Sequence, residues 1–296
     1  MILNVISSPK GGGAELLVRE LLKIYTAHGF ESQAIYLSGN LANLEKNEHV
    51  IGLNPKNLLN IICIRKILKL CFDESQTVLI VHAHLTWPFF YLALASLGLK
   101  RIKLIYTEHN TTNKRRKIPR FWLVERLIYA RYSKVICISQ GVHDSLARWV
   151  GSQLSRRLVT IPNGSRIYSV PERLPLKNRR PRLISVGSLT AKKNFATAVL
   201  EAHARGVPAI STRSAGYCAE FLTNIEPITG LAFDPDDIAS DDFIQRVLKL
   251  IEHHEDYRAH CIEKASLFSE ERVLGDICRG IQSLLTNANT QQANQR

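Results

Sequence analysis

A chain of 296 residues that is 45% hydrophobic and 22% charged has room for two domains of ordinary size and the composition of a globular protein. Its apolar runs fall short of a membrane span; the longest candidate, Pro88 to Leu99, reads as a core helix. The formal net charge of +13 asks for an anionic partner, and the basic clusters Lys100–Lys103 and Lys114–Arg120 carry no interleaved aromatic nucleic-acid motif. An anionic membrane face and diphosphate-bearing substrates are therefore expected, and nucleic acid is not.

Ile2–Ile6 is a short apolar strand. The opening MILNVISSPKGGG runs from it into a loop, without the charged start, apolar stretch and cleavage site of a signal peptide, so the expected location is cytoplasmic. Ala14–His28 sets Leu16, Leu17, Leu21, Leu22 and Ile24 at helical spacing. Gln33–Leu37, Val78–Val81, Lys103–Tyr106, Val135–Ile138 and Leu158–Ile161 are further β-rich runs, with helical patterns between most of them. Continuous apolar strands alternating with helices argue for a parallel sheet buried on both faces. Pro162 to Pro181 holds four prolines and no periodicity, and reads as a linker.

A second α/β unit follows. Leu183–Val186, Pro208–Thr212 and Gly230–Phe233 read as strands and Phe195–Arg205 as a helix; helices then run from about Ala239 to about Leu285 with a break near Gly275. The tail TNANTQQANQR is polar and expected to be disordered. The expected division is an N-terminal Rossmann-like domain at 1–165, a linker at 166–181, a shortened second Rossmann-like domain at 182–285, and a tail at 286–296. Six scattered cysteines with no CxxC pair are expected to be reduced thiols.

Four segments carry the chemistry. Lys10-Gly11-Gly12-Gly13-Ala14-Glu15 lies between the first strand and first helix, where glycines let the backbone approach a phosphate at a helix N-terminus. A tight turn accounts for it equally well. It is not a dinucleotide fingerprint, because Leu16 stands where a third glycine is needed and no acid follows the second strand. His82-Ala83-His84 and Thr107-Glu108-His109-Asn110 both end strands, the rim at which open α/β sheets bind ligands. Val186-Gly187-Ser188-Leu189-Thr190-Ala191-Lys192-Lys193-Asn194 brings lysines to a helix start, which suits a diphosphate. Glu201 sits one turn before a helix end at Gly206-Val207-Pro208, where surface charge is the plain alternative. Ser139 reads as an N-cap and Asn163-Gly164 as a turn. No cofactor or metal is expected: Asp234-Pro235-Asp236-Asp237 reads as a cap, and the histidines near Glu252 lack zinc-protease spacing.

Taken in order, these motifs resemble the retaining glycosyltransferases of family 4, which have the GT-B fold of two facing Rossmann-like domains. The resemblance runs from GGGAE through HAH, TEHN and Ile161-Pro162-Asn163-Gly164 to VGSLTAKKN and LEAHARGVPAISTRSAG. It implies sugar transfer from a nucleotide-sugar donor to a polysaccharide or lipid-linked acceptor, without a metal. By the same resemblance Lys193 neutralises the departing diphosphate and Glu201 bonds the nucleotide ribose. Gly12 and Gly13 approach the diphosphate, His109 lies near the transferred sugar, and His82 and His84 line the acceptor-side rim. Two departures stand out. Ser188 replaces the family's arginine, and Lys193 falls where a glutamate paired with Glu201 belongs. The two C-terminal motifs thus share one helix, and an internal deletion in the donor half, with impaired activity, is expected. The rival readings are a compact variant, a non-catalytic remnant that binds acceptor or membrane, a nucleic-acid binder, and a nicotinamide dehydrogenase.

Overall fold

The structure is a computed structural model that describes residues 1–9, 13–39, 44–74, 78–99, 101–110, 113–162, 196–213, 221–224, 226–237 and 240–293. The chain divides into two compact units, Met1–Ile161 with Leu274–Arg296, and Pro162–Val273.

The first unit is built on a seven-stranded parallel sheet. Its strands are β1 (Ile2–Ile6), β2 (Ser32–Tyr36), β3 (Glu48–Val50), β4 (Leu79–His84), β5 (Ile102–Glu108), β6 (Tyr132–Cys137) and β7 (Leu158–Thr160), in the order β3-β2-β1-β4-β5-β6-β7. The order reverses between β1 and β4, a switch point of the kind at which open α/β sheets bind ligands, at the carboxyl ends of the strands. Side chains alternate across the pleat. Leu3, Val5, Val81, Ala83, Leu104 and Tyr106 enter one core with α2 (Leu59–Glu74), α3 (Thr86–Ala95), α4 (Pro119–Tyr129) and α5 (Gln140–Val150), after which comes the one-turn α6 (Ser152–Ser155). Ile6, Ala34 and Tyr36 face the other way, against Val18 and Leu22 of α1 (Gly13–Ala27). Of the α1 leucines expected inside, Leu16 is instead exposed.

Three local differences have simple causes. β3 is three residues long and contains Glu48, so no apolar run announces it. Glu48 is buried there because Arg19 and the Tyr36 hydroxyl donate to its carboxylate at 2.9 and 2.6 Å. β4 runs on through His84 and β5 through Glu108, so His82, His84, Thr107 and Glu108, expected just after these strands, belong to them. Ser139 caps α5, its hydroxyl accepting from the Val142 N–H at 3.2 Å.

The second unit is shorter. Its described sheet is a parallel pair, β8 (Ala209–Thr212) and β9 (Gly230–Phe233). α7 (Ala196–Ala204) supplies Val199 and Leu200 to a small core with Phe221 and Leu222. Two helices follow, α8 (Asp241–Glu252) and α9 (Asp256–Ser266). The expected strand at Leu183–Val186 and the linker at 166–181 lie outside the described residues.

The C-terminal end departs from the sequence expectation. α10 (Glu270–Ala293) passes unbroken through Gly275 and carries the polar tail as helix to Ala293. The helix breaks fall at 253–255 and 267–269 instead. Leu274, Ile277, Cys278 and Ile281 are buried at helical spacing, and this anchored stretch lets the helix propagate into a sequence that could not nucleate one. From Leu274 onward the chain belongs to the first unit, not the second. Among the described residues no helix is long and apolar enough to cross a membrane.

Candidate functional site

The last residues of β4 and β5 gather three imidazoles. His82 and His84 point to the same side of the sheet as Asn4 and Ile105, which flank His82 in register. Their ring centroids are 4.0 Å apart, and His109, just beyond β5, lies 6.3 Å from His84. One ring nitrogen of His82 hydrogen-bonds the Thr107 hydroxyl at 2.8 Å. His82 Nδ1, both ring nitrogens of His84 and His109 Nε2 are buried without a hydrogen-bond partner among the described residues.

Burial keeps all three rings neutral. It lowers His82 to about 3, with His109 adding a smaller push; it lowers His109 to about 4; and it holds His84 well below the ordinary histidine range, helped by the other two rings. Neutral imidazoles with free ring nitrogens can give or take hydrogen bonds but carry no charge. Buried polar atoms without a partner are costly, so a polar ligand or water that reaches them gains them as partners. Leu85 follows His84 at φ 68°, a left-handed conformation that costs a branched side chain roughly 1–3 kcal/mol and is typical of strained functional edges.

Glu108, one residue past Thr107 and so on the opposite face of β5 from His82 and His84, anchors a locked ionic layer. Glu108 accepts from Arg116 and from the Tyr129 hydroxyl, each at 2.9 Å, and from the Asn110 N–H at 3.1 Å. Burial still pushes its carboxyl above the ordinary value, against the pull of Arg116. Arg115 donates to Glu125 at 2.7 Å and to the Thr86 hydroxyl at 3.1 Å, and the Trp149 indole donates to the other oxygen of Glu125 at 2.8 Å. Two cations of the Lys114–Arg120 cluster, read from sequence as available to anionic partners, are therefore spent inside the fold.

The expected site residues fare unequally. His82 and His84 are fully buried, because β4 runs on through both of them. His109 is grouped with them. Gly13 opens α1. Glu201 is exposed on α7, and its carbonyl accepts from Arg205 at 3.3 Å. Gly12, Lys192, Lys193 and Ser188 lie outside the described residues. His203 is structural: its ring joins the Val207 carbonyl at 3.1 Å to the Thr229 hydroxyl at 2.7 Å. Sequence reasoning misses Thr107 as the partner of His82 and Glu108 as a buried anchor, although both stand in the quoted TEHN motif. Among the described residues no cluster of His, Cys, Asp and Glu could hold a metal.

The family description "Glycosyltransferase Family 4" matches residues 11–166, more than half of the chain. The chain belongs to glycosyltransferase family 4. A second description, "Glycosyl transferases group 1", matches residues 183–268, so both halves of this family 4 protein align with transferase domains. No curated protein matches. Among solved structures, a glycosyltransferase from Rickettsia africae ESF-5 superposes with a TM-score of 0.73 at 17% identity, covering 97% of this chain and 98% of that one. Anabaena Alr3699/HepE, solved in complex with UDP and glucose, gives 0.70 at 16% identity, covering 95% and 99%. The fold of this family 4 chain is accordingly that of GT-B glycosyltransferases, with a short C-terminal domain.

Proposed function

We propose that this glycosyltransferase moves a sugar from a nucleotide-sugar donor to a polysaccharide or lipid-linked acceptor, with retention at the anomeric carbon. The observation that carries the reading is the neutral group of His82, His84 and His109, the first two fully buried and the third half-buried, at the carboxyl ends of β4 and β5. The UDP and UDP-glucose complexes of Anabaena Alr3699/HepE support a uridine diphosphate sugar as the donor class. Sugar hydroxyls both donate and accept, so they suit neutral rings.

The division of labour follows from chemistry. When the glycosidic bond to the donor breaks, negative charge develops on the leaving diphosphate. Lys193, as a compact cation, and the N–H groups at the Gly12–Gly13 entry to α1 stabilise it. Glu201 accepts hydrogen bonds from the ribose hydroxyls. His109 positions the transferred sugar without adding a positive charge beside the developing oxocarbenium ion. The cationic excess of the chain supports peripheral contact with the cytoplasmic face of an anionic membrane, where lipid-linked acceptors are presented.

The sequence argues that the donor half is impaired by an internal deletion, since Lys193 replaces the glutamate partner of Glu201. A second reading, a compact and active donor half, is favoured by the reciprocal coverage with the Rickettsia africae protein, which implies chains of nearly equal length. Calorimetric titration with UDP-glucose and UDP, followed by assay of UDP release, separates them. Donor binding that Lys193→Ala weakens, with no turnover, supports the impaired enzyme. Binding with turnover of about 1 per second or faster supports the compact one, and His109→Ala then lowers kcat roughly 100-fold. Neither binding nor turnover with any nucleotide sugar sinks the transferase reading and leaves a non-catalytic remnant.

A further inference from the structure

Open α/β sheets meet their ligands at the carboxyl ends of the strands, and in the second unit β8 and β9 reach those ends together, Thr212 opposite Phe233. The next residues are Arg213 and Asp234. Arg213 Nε lies 3.3 Å from an Asp234 carboxylate oxygen, with both side chains more than half exposed. The other described cations of this unit are elsewhere. Arg205 donates to the Glu201 carbonyl and Arg258 packs against Gly206, so both stand before the amino end of β8. Lys264 is buried and donates to the Pro227 carbonyl at 2.8 Å, ahead of β9. Arg246 and Lys249 lie further along, on α8, and Arg272 on α10. Arg213 is thus the described cation at the carboxyl ends of this sheet.

Its ion pair differs from those that lock the first unit. Arg115–Glu125 and Arg116–Glu108 close at 2.7 and 2.9 Å on carboxylates that are at most 1% exposed. The contact of Arg213 with Asp234 is longer than a strong charge-assisted bond, and a pair so open to water adds little to stability. A cation held that loosely can change partners. The donor class proposed above carries a diphosphate, and as it departs it bears more negative charge than a single lysine balances. A guanidinium offers a phosphate two parallel N–H bonds, a stronger match than an exposed carboxylate at 3.3 Å.

We infer that Arg213 is a donor-binding residue, which leaves Asp234 to bond the phosphates of the nucleotide sugar. Asp234 holds the cation at the strand ends in the free protein and competes with the ligand for it. The inference rests on the transferase reading above and adds to it a phosphate contact from β8. It has a consequence of opposite sign for the two partners. Loss of the Arg213 charge weakens the binding of a diphosphate, whereas loss of the Asp234 charge strengthens it. A pair that only ties β8 to β9 predicts otherwise, since removing either partner then breaks the same contact and acts in the same direction.

The test is calorimetric titration of the full chain with UDP, UMP and uridine. Arg213→Ala should weaken UDP roughly tenfold or more, UMP less, and uridine not at all. Arg213→Lys should fall between Arg213→Ala and the wild type, since an ammonium keeps the charge but not the fork. Asp234→Asn should tighten UDP roughly threefold, the size of an exposed pair that no longer competes. Should Arg213→Ala melt early by circular dichroism, the gain expected of Asp234→Asn still decides. Wild-type UDP binding that Arg213→Ala leaves unchanged, or that Arg213→Ala and Asp234→Asn weaken alike, overturns the inference and leaves the transferase reading standing. A wild-type chain that binds neither UDP nor UDP-glucose removes that reading, and this inference with it.

Discussion

His82, His109 and His203 share a physical situation: each ring is buried neutral, and burial lowers the three to about 3, 4 and 4. In the unfolded chain such rings protonate near pH 6.5. Above that pH both states are neutral and nothing is gained or lost. Below it only the unfolded state takes up protons, so stability declines as the pH falls towards the folded values. Each ring contributes a slope of up to about 1.4 kcal/mol per pH unit. Urea midpoints should therefore drop steadily between about pH 6.5 and pH 4.5, well before most carboxylates titrate. His82→Gln should flatten that dependence, and an unchanged slope in this variant would mean that His82 is not held neutral.

At the scale of elements, the weak place is the β8–β9 pair. Gly230 faces Ala209 in the ladder, and a Cβ there would collide with the Ala209 carbonyl and crowd Leu222. Only a glycine lets these strands close, so Gly230→Ala should destabilise the second unit by roughly 2 kcal/mol or more. Denaturant titration followed by circular dichroism measures this, and a wild-type midpoint would refute the tight approach. By contrast β4 and β5 are central strands of a seven-stranded sheet with a partner on each side. That rigidity is why the polar ends of these two strands can hold His82, His84, Thr107 and Glu108 in place.

For the whole molecule, the two units differ in size and in how much sheet each contains. All three tryptophans, Trp87, Trp122 and Trp149, lie in the first unit, so indole fluorescence follows that unit alone while circular dichroism follows both. Thermal unfolding should then give transitions that do not coincide, the dichroism change beginning several degrees below the fluorescence change. Gly230→Ala should widen the gap by moving only the earlier one. A single coincident transition in both signals would mean that the units unfold as one.

The parallel α/β architecture was legible in the sequence because strands buried on both faces must be continuously apolar. Leu79–Val81, Leu104–Tyr106 and Val135–Cys137 are recognisable on that ground alone, and the order of GGGAE, HAH, TEHN and LEAHARGVPAIST pointed to the family. β3 escaped notice because a three-residue strand holding Glu48 depends on Arg19 and Tyr36, residues distant in sequence, to bury its charge. The tail escaped for a related reason: polar residues have no intrinsic drive to form helix, and only the docking of Leu274, Ile277 and Ile281 on the first unit supplies one. Which cations are available was likewise beyond sequence. A count treats Lys66 and Arg116 alike, whereas folding buries Arg116 against Glu108 and leaves Lys66 facing outward. Local chemistry thus determined the strands, the cap at Ser139 and the family of catalysts. Tertiary packing decided which charges remain at the surface and which histidines are kept neutral, since both depend on neighbours that meet only when the sheet closes.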